Sequence, residues 1–434
     1  MNALTLSWRN LVNRPLGMLL SVVLFALGVG LISLLLLLNQ QLDQKFEKNL
    51  AGIDLVIGAK GSPLQLILCN MYHIDAPTGN IDIKDAKPFL RPGHPLIELA
   101  VPLSLGDNYR NFRVVGTNHD FLKLYDAKTA EGQLFEDHFE VTIGVNVAAT
   151  LGLKIGDTFY SAHGFDHNED FEHESERPFE VVGILAPSGA VIDQLILTTP
   201  PTIWMVHEHE APEESTEEEH QHEGDEAHEH ADDHAGHDHS HPAYDQPLLS
   251  YPDKQITSML IKFSARNFRT LNMQRNINEN TSLQAATPVI EINRLFSLMG
   301  VGLDTLKVLA WVIVIVSGLS IFISLFNSLK ERKYELALMR VMGASRIKLF
   351  GFILLEGLLI AVIGYILGIL LSHISVSLLS GYMQEAYKYS ISGKVFLPQE
   401  GYLFLGCLAV GLLSAVIPAW QAFRTDISET LSQG

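Results

Sequence analysis

The sequence predicts an integral membrane α-helical protein with four transmembrane helices and a large α+β extracytoplasmic domain between helices one and two. Three observations predict it. Four apolar runs are each long enough to cross a bilayer, cationic residues cluster beside particular run ends, and short β-rich stretches fill the long interval after the first run. Composition agrees. Of 434 residues, 47% are hydrophobic, yet the formal net charge is −19, with a mean hydropathy of +0.18. Residues 207–241 hold 14 acidic and 10 His side chains and no Lys or Arg, so they carry −14 and the rest of the chain only −5. A uniformly acidic globular enzyme is excluded. Nucleic acid is excluded as a partner too, because it requires a basic surface.

Residues 1–15 read as an interfacial helix, with Leu4, Trp8, Leu11 and Val12 at helical spacing and Pro15 turning the chain into the bilayer. The spans follow at 16–39, 303–327, 349–378 and 402–423, around the runs Leu16–Asn39, Val308–Phe326, Leu349–Ser372 and Tyr402–Phe423. Each reaches the roughly 20 residues a helix needs to cross a ~30 Å hydrocarbon core. The first run is too long for a signal peptide's ~7–15 apolar residues and no small-x-small cleavage site follows it, so a retained anchor is expected. Arg9 and Arg14 precede span one. Lys330, Arg332, Lys333, Arg340, Arg346 and Lys348 outnumber Glu331 and Glu335 between spans two and three. The loop at 379–401 has no such excess. The positive-inside rule therefore puts both termini, including the 424–434 tail, and residues 328–348 in the cytoplasm.

The external segment, 40–302, opens with a stalk in which Leu42, Phe46 and Leu50 recur every four residues. Strands are expected at Phe112–Gly116, Phe139–Ile143 and Phe179–Leu185, and helices at Asn146–Leu153, closed by Gly152, and at Arg266–Ile277. Gly58–Pro63 reads as a turn before an amphipathic stretch, Leu64–Ile74. It lacks the order of a phosphate-binding loop, so ATP hydrolysis by this chain is not expected. Residues 207–241 have almost no apolar content and read as a disordered insertion. Cys69 lies outside the membrane and Cys407 in a span, so both read as small apolar side chains without a disulfide.

The most informative cytoplasmic stretch runs from Lys330 to Arg346. Residues 331–342 form an amphipathic helix, Gly343 can end it in the left-handed conformation, and Ser345 can cap the next helix. Two readings stand here from physics alone: a helix that docks into a groove on a cytoplasmic partner, or an ordinary positive-inside loop. Glu356 within span three calls for a structural cation partner, Arg340 or Arg346. His373 in the same span reads as a helix-packing residue rather than a proton relay.

The run E-R-x-x-E-L-A-L-M-R-x-M-G-A-S-R at 331–346, with Glu356 beyond it, resembles the signature of MacB/FtsX/LolC-type ABC transporter permeases. The ending Pro418-Ala-Trp-Gln-Ala-Phe-Arg-Thr-Asp-Ile427 is similar to that family's P-A-x-x-A-x-R-x-D-P, with Ile427 in place of Pro. The resemblance implies a non-catalytic permease subunit of the bacterial inner membrane, without a fused ATPase domain. It further implies a second permease copy, identical or paralogous, and two separate ABC ATPase subunits that bind the ATP and magnesium. ATP-driven motion would be relayed to the periplasmic domain by mechanotransmission. The coupling residues it implies are Glu331, Arg332, Glu335, Leu336, Met339, Arg340 and Gly343. The work would be export or extraction of an envelope substrate (lipoprotein, lipid, peptide or drug), with membrane lipids and a periplasmic lipoprotein or adaptor as further partners. The alternatives are an FtsX-like regulatory transducer acting on a periplasmic partner, or a zinc-linked envelope metal-handling complex.

The last alternative rests on the insertion. His207-x-His209, His220-x-His222, His228-x-His230 and His237-x-His239-x-His241, with His234 between the last two groups, put imidazoles two apart. In an extended chain such pairs point the same way and can clamp a borderline metal such as zinc, with carboxylates completing the shell. A solvated acidic linker accounts for the same composition.

Overall fold

In a computed structural model of the protein, the described residues are 7, 15–163, 177–208, 248–387 and 391–424. Most of the expected interfacial helix, the insertion from 209 onward and the tail from 425 lie outside them. The chain forms two units, residues 45–295 and residues 1–44 with 296–434.

The membrane unit is built from four long helices, α1 (Pro15–Leu50), α9 (Pro288–Glu331), α11 (Arg346–Tyr387) and α12 (Pro398–Arg424), with the short α10 (Lys333–Val341) between the second and third. The long four carry stretches apolar and long enough to cross a membrane: Gly17–Leu50, Gly302–Glu331, Arg346–Gly381 and Pro398–Arg424. Their shared core is Val22, Phe25 and Val29 of α1, Ile321 and Leu325 of α9, Ile360 and Ala361 of α11, and Cys407 and Ala415 of α12. Large apolar side chains also face outward, among them Val23, Leu27, Trp311, Ile315 and Leu319. Water would penalise that surface; hydrocarbon does not. Inside the bundle, packing depends on close backbone approach. A Cβ on Gly411 would lie 2.6 Å from the Ala361 Cβ, and one on Gly357 2.7 Å from the Ala415 Cβ, so small residues set the α11–α12 contact.

The second unit is mixed α/β. Its strands are β1 (Leu55–Ala59), β2 (Ile81–Asp82), β3 (Ile97–Tyr109), β4 (Phe112–Gly116), β5 (Thr129–Gly132), β6 (Glu140–Ile143), β7 (Thr158–Phe159), β8 (Ala162–His163), β9 (Phe179–Leu185), β10 (Ile196–Thr198), β11 (Gln255–Ile256), β12 (Ser258–Phe263) and β13 (Leu283–Ala286). The main sheet runs β13-β1-β12-β3-β4-β10-β6-β9-β5, with β7 on β9 and β8 on β3; β11 and β2 pair separately. The long β3 joins two cores. Its first half pairs with β12 and its second with β4, across an irregularity between Leu105 and Asn108. One core gathers Leu55, Ile57, Ile97, Met259 and Ile261. The other gathers Phe112, Val114, Val141, Phe179 and Val181. In β9, Phe179, Val181, Gly183 and Leu185 are buried while Glu180 is exposed, the period-two burial of a strand.

The helices of this unit are α2 (Pro63–Met71), α3 (Ile83–Leu90), α4 (Asp120–Leu124), α5 (Val145–Leu151), α6 (Pro200–Glu208), α7 (Phe268–Leu271) and α8 (Met273–Asn280). The turn expected at Gly58–Pro63 is shorter than the sequence implies, because Gly58 and Ala59 pair within β1. Ser62 then caps α2, accepting from the Gln65 N–H at 3.4 Å. The helix expected over Arg266–Ile277 is two helices. Asn267 accepts from the backbone of Arg269 and Thr270 and starts α7, which ends at Asn272. The first two residues of the expected disordered insertion, His207 and Glu208, are the end of α6.

Beyond α2 lies a buried polar group. Cys69 of α2 accepts a contact from Arg113 Nη1 at 3.6 Å, and Arg113 Nη2 donates to the Asp75 carbonyl at 2.8 Å. Both cysteines are free and buried. His73 has φ +54°, and both its ring nitrogens are sealed from solvent with no hydrogen-bond partner among the described residues. Burial, reinforced by the Arg113 charge, pushes its imidazole down to about 3 from 6.5. Between those values the unfolded chain takes up a proton that the folded unit refuses, so this unit loses stability as pH falls below 6.5. His73→Asn, which tolerates positive φ, should flatten the acid limb of a thermal-unfolding profile; an unchanged slope would rule His73 out as its source.

Candidate functional site

At the end opposite the second unit's sequence connections, the chain makes a helix–break–helix–turn–helix. α9 stops at Glu331, Arg332 leaves helical geometry, α10 follows, and Gly343 turns the chain with φ +99°. No neighbour lies within 4 Å of where a Gly343 Cβ would be, so the backbone angle is what favours glycine here. Ser345 accepts from the Lys348 N–H at 3.3 Å and opens α11.

The two faces of α10 differ. Leu336 and Ala337 are buried, and Leu336 packs with Leu329, Leu349, Ile353, Ala419 and Ala422, with Met339 beside them. This explains the small residues in the C-terminal motif: Ala419 and Ala422 let α12 approach. Trp420 and Phe423 stack at 5.7 Å, with Arg424 over the Trp420 ring at 5.2 Å. The opposite face shows Tyr334 53%, Leu338 46%, Val341 60% and Met342 81% exposed. The 334, 338, 341 and 342 spacing is one helical stripe, bordered by exposed Glu331, Lys333 and Glu335. Of the residues singled out in sequence, Glu331, Glu335 and Gly343 are exposed, Met339 and Arg340 half-buried, and Leu336 faces the bundle. The exposed apolar row went unrecognised because its residues alternate with the buried ones at helical spacing.

Arg332 also turns inward, with a side chain 14% exposed. Its Nε donates to Glu335 Oε2 at 3.0 Å and its Nη1 to Glu356 Oε1 at 3.3 Å. Arg332 is thus a cation partner of Glu356 that the sequence reading did not name beside Arg340 and Arg346. The pair ties α11 to the break before α10.

At the other end of the spans, His373 is hydrogen-bonded rather than simply packed, its Nε2 3.0 Å from Glu400 Oε1. Glu400 falls inside the loop expected at 379–401 but lies in the first turn of α12. Its place two residues after Pro398, ahead of an apolar run, was the signal that it belongs to a helix start. Between α1, α9 and α12 lies an apolar groove of about 410 Å³, lined by Phe25, Val29, Trp311, Leu403 and Val410, with Lys307 at its edge.

His207 lies at the end of α6, with Nε2 3.4 Å from Asp107 Oδ1. His209, His220, His222, His228, His230, His234, His237, His239 and His241 lie outside the described residues. Among the described residues, no three His, Cys, Asp or Glu side chains gather to hold a metal.

Removing one partner of a buried ion pair costs on the order of 3–5 kcal/mol, whereas replacing both with apolar groups recovers much of it. Arg332→Met should therefore lower the thermal stability of the detergent-solubilised chain clearly, and Arg332→Met with Glu356→Leu should restore most of the loss. A double variant as unstable as the sum of its singles would contradict the pair.

A family model described as the FtsX-like permease C-terminal domain matches residues 307–427. One described as the MacB-like periplasmic core domain matches residues 18–220. No curated protein matches the chain. The crystal structure of the periplasmic region of MacB from Actinobacillus actinomycetemcomitans is similar at 12% identity, covering 58% of this chain and 98% of that one with a TM-score of 0.31. The extracellular domain of the noncanonical ABC-type transporter YknZ from Gram-positive bacteria is similar at 12% identity, covering 54% and 99% with a TM-score of 0.27. The assignment rests on the two family models, which between them take in both ends of the membrane unit and much of the intervening domain: the chain belongs to the MacB/FtsX-type ABC permease family.

Proposed function

We propose that this chain couples ATP hydrolysis on separate ATPase subunits to motion of its 45–295 unit by mechanotransmission, for export or extraction of an envelope substrate. It works as one of two permease copies, identical or paralogous, in the bacterial inner membrane, with both termini cytoplasmic and no catalysis of its own. The observation that carries this reading is α10, with its exposed apolar stripe (Tyr334, Leu338, Val341, Met342) backed by a buried face and by Arg332–Glu356. A stripe held on a rigid support suits a groove on a partner, and a push on it is passed to α9 and α11 rather than lost in a loop. Helix length supports the same reading. At 1.5 Å per residue, the 36 residues of α1 and 44 of α9 span roughly 54 and 66 Å, well beyond a ~30 Å hydrocarbon core. The apolar groove favours a substrate, or part of one, that is itself apolar, such as a lipid or lipoprotein.

The insertion gives the complex a weak, multi-site zinc buffer. Its support is the repeated His-x-His spacing, and neutral imidazoles make binding fail as pH drops below ~6.

Two measurements test these readings. In the complex with the ATPase that co-purifies with it, Leu338→Glu with Met342→Glu should cut permease-stimulated ATP hydrolysis several-fold without reducing membrane insertion. Undiminished stimulation would contradict the docking face. Deleting 209–241 should remove most zinc uptake measured by calorimetry on the full-length protein, and equal uptake before and after would dismiss the metal reading.

A further inference from the structure

The outer end of the membrane unit holds a second buried carboxylate. Glu400, 4% exposed, lies in the first turn of α12. Its Oε2 accepts from the Leu397 N–H at 3.2 Å, the reach-back half of a capping box. Its Oε1 leaves the helix altogether. It accepts from Ser33 Oγ of α1 at 2.9 Å and meets His373 Nε2 of α11 at 3.0 Å. His373 Nδ1 lies 2.6 Å from the Gly393 carbonyl, and the ring stacks on Phe396 at 4.5 Å. The segment 391–397 is seated tightly: a Cβ on Gly393 would collide with Ser377 Oγ and the His373 carbonyl. Gln41 of α1 holds the same segment from the other side, donating to the Ser392 carbonyl at 2.9 Å and accepting from its N–H at 2.7 Å.

Proton accounting in this cluster is restrictive. A carbonyl oxygen only accepts, so Nδ1 of His373 carries a hydrogen. Nε2 then faces a carboxyl oxygen that already accepts from Ser33. With a neutral ring and an ionised Glu400, two lone pairs would oppose each other at 3.0 Å, away from water, where an unpaired polar contact is most costly. One proton removes the conflict. It sits on Nε2, giving an imidazolium–carboxylate pair, or on Oε1, giving a neutral acid that donates to the ring. Either way the pair holds one proton more than a neutral His and a carboxylate, and carries no net charge.

We propose that Ser33, His373 and Glu400 form a proton-binding site that clamps the outer ends of α1, α11 and α12, and that this end of the bundle loosens when the proton leaves. Among the described residues, the surrounding groups leave the task to this pair. Tyr365 on α11 donates its hydroxyl to the Glu400 carbonyl at 3.1 Å, and Lys394 in the seated segment is exposed. α1 contributes the neutral Ser33 and Gln41, Cys407 lies two turns further along α12, and Asp304 and Lys307 of α9 pair with each other at 2.9 Å.

The proposal makes a prediction that a purely structural role does not. In Glu400→Gln, the amide can donate to a neutral His373 ring while its oxygen still accepts from Leu397, so the clamp closes without the extra proton. Full-length protein in lipid nanodiscs should unfold at progressively lower temperature as pH rises from about 6 to 9. Glu400→Gln should show a flat profile that lies above wild type at the alkaline end, and Glu400→Ala should be weak throughout. Spin labels at Asn39 and Val395 should move apart with pH in the wild type and stay together in Glu400→Gln. If Glu400→Gln fails to fold, His373→Gln must still lose the pH dependence. A wild type without pH dependence in this range, or a Gln variant that follows the wild-type profile, overturns the proposal.

Discussion

Hydrocarbon offers no water to a charge, and that constraint decides where the polar side chains of the membrane unit can sit. An ionised group within a span must find its partner inside the protein or not be there at all. Glu356 meets the requirement with Arg332 at one end of the bundle, and Glu400 meets it with His373 and Ser33 at the other. Each carboxylate places at least one oxygen on a partner outside its own helix. Each therefore becomes a tie between elements far apart in sequence, and the four spans pack as they do because small residues let those ties close.

The ties bear on how motion would travel. Arg332 sits at the one break between α9 and α10, and its guanidinium reaches both Glu335 on α10 and Glu356 on α11. A force applied to the exposed face of α10 meets a joint braced by charge and by the packing of Leu336 on Ala419 and Ala422. A flexible loop at the same place would absorb the force. The alternation along α10, with inward residues fixing the helix and outward ones left free, separates the residues that support the site from those that would touch a partner.

Much of this was legible in the sequence. The spans follow from run length, strands such as Phe179–Leu185 from period-two alternation, and the end of α10 from Gly343, because each signal is local. What was not legible depends on tertiary geometry. Several cations lie near Glu356 in sequence, and only the break at Arg332 turns that guanidinium toward α11. Leu336 and Leu338 are equally apolar, and the neighbouring α9, α11 and α12 decide which is covered. Glu400 falls within the loop expected at 379–401, and its partners, Ser33 and His373, lie 367 and 27 residues away. The helix expected over Arg266–Ile277 starts later because Asn267 caps Phe268–Leu271, and it breaks at Asn272, whose side-chain amide donates to the Phe268 carbonyl.

On the proposed coupling, α10 presents Leu338 and Met342 to an ATPase while Leu336 holds it to the bundle. Photo-cross-linking from a benzophenone side chain placed in turn at positions 336, 338 and 342 of the assembled complex tests it most directly. Adducts with the ATPase subunit should form from 338 and 342 and be absent from 336. Adducts of equal yield from 336, or none from 342, would contradict it.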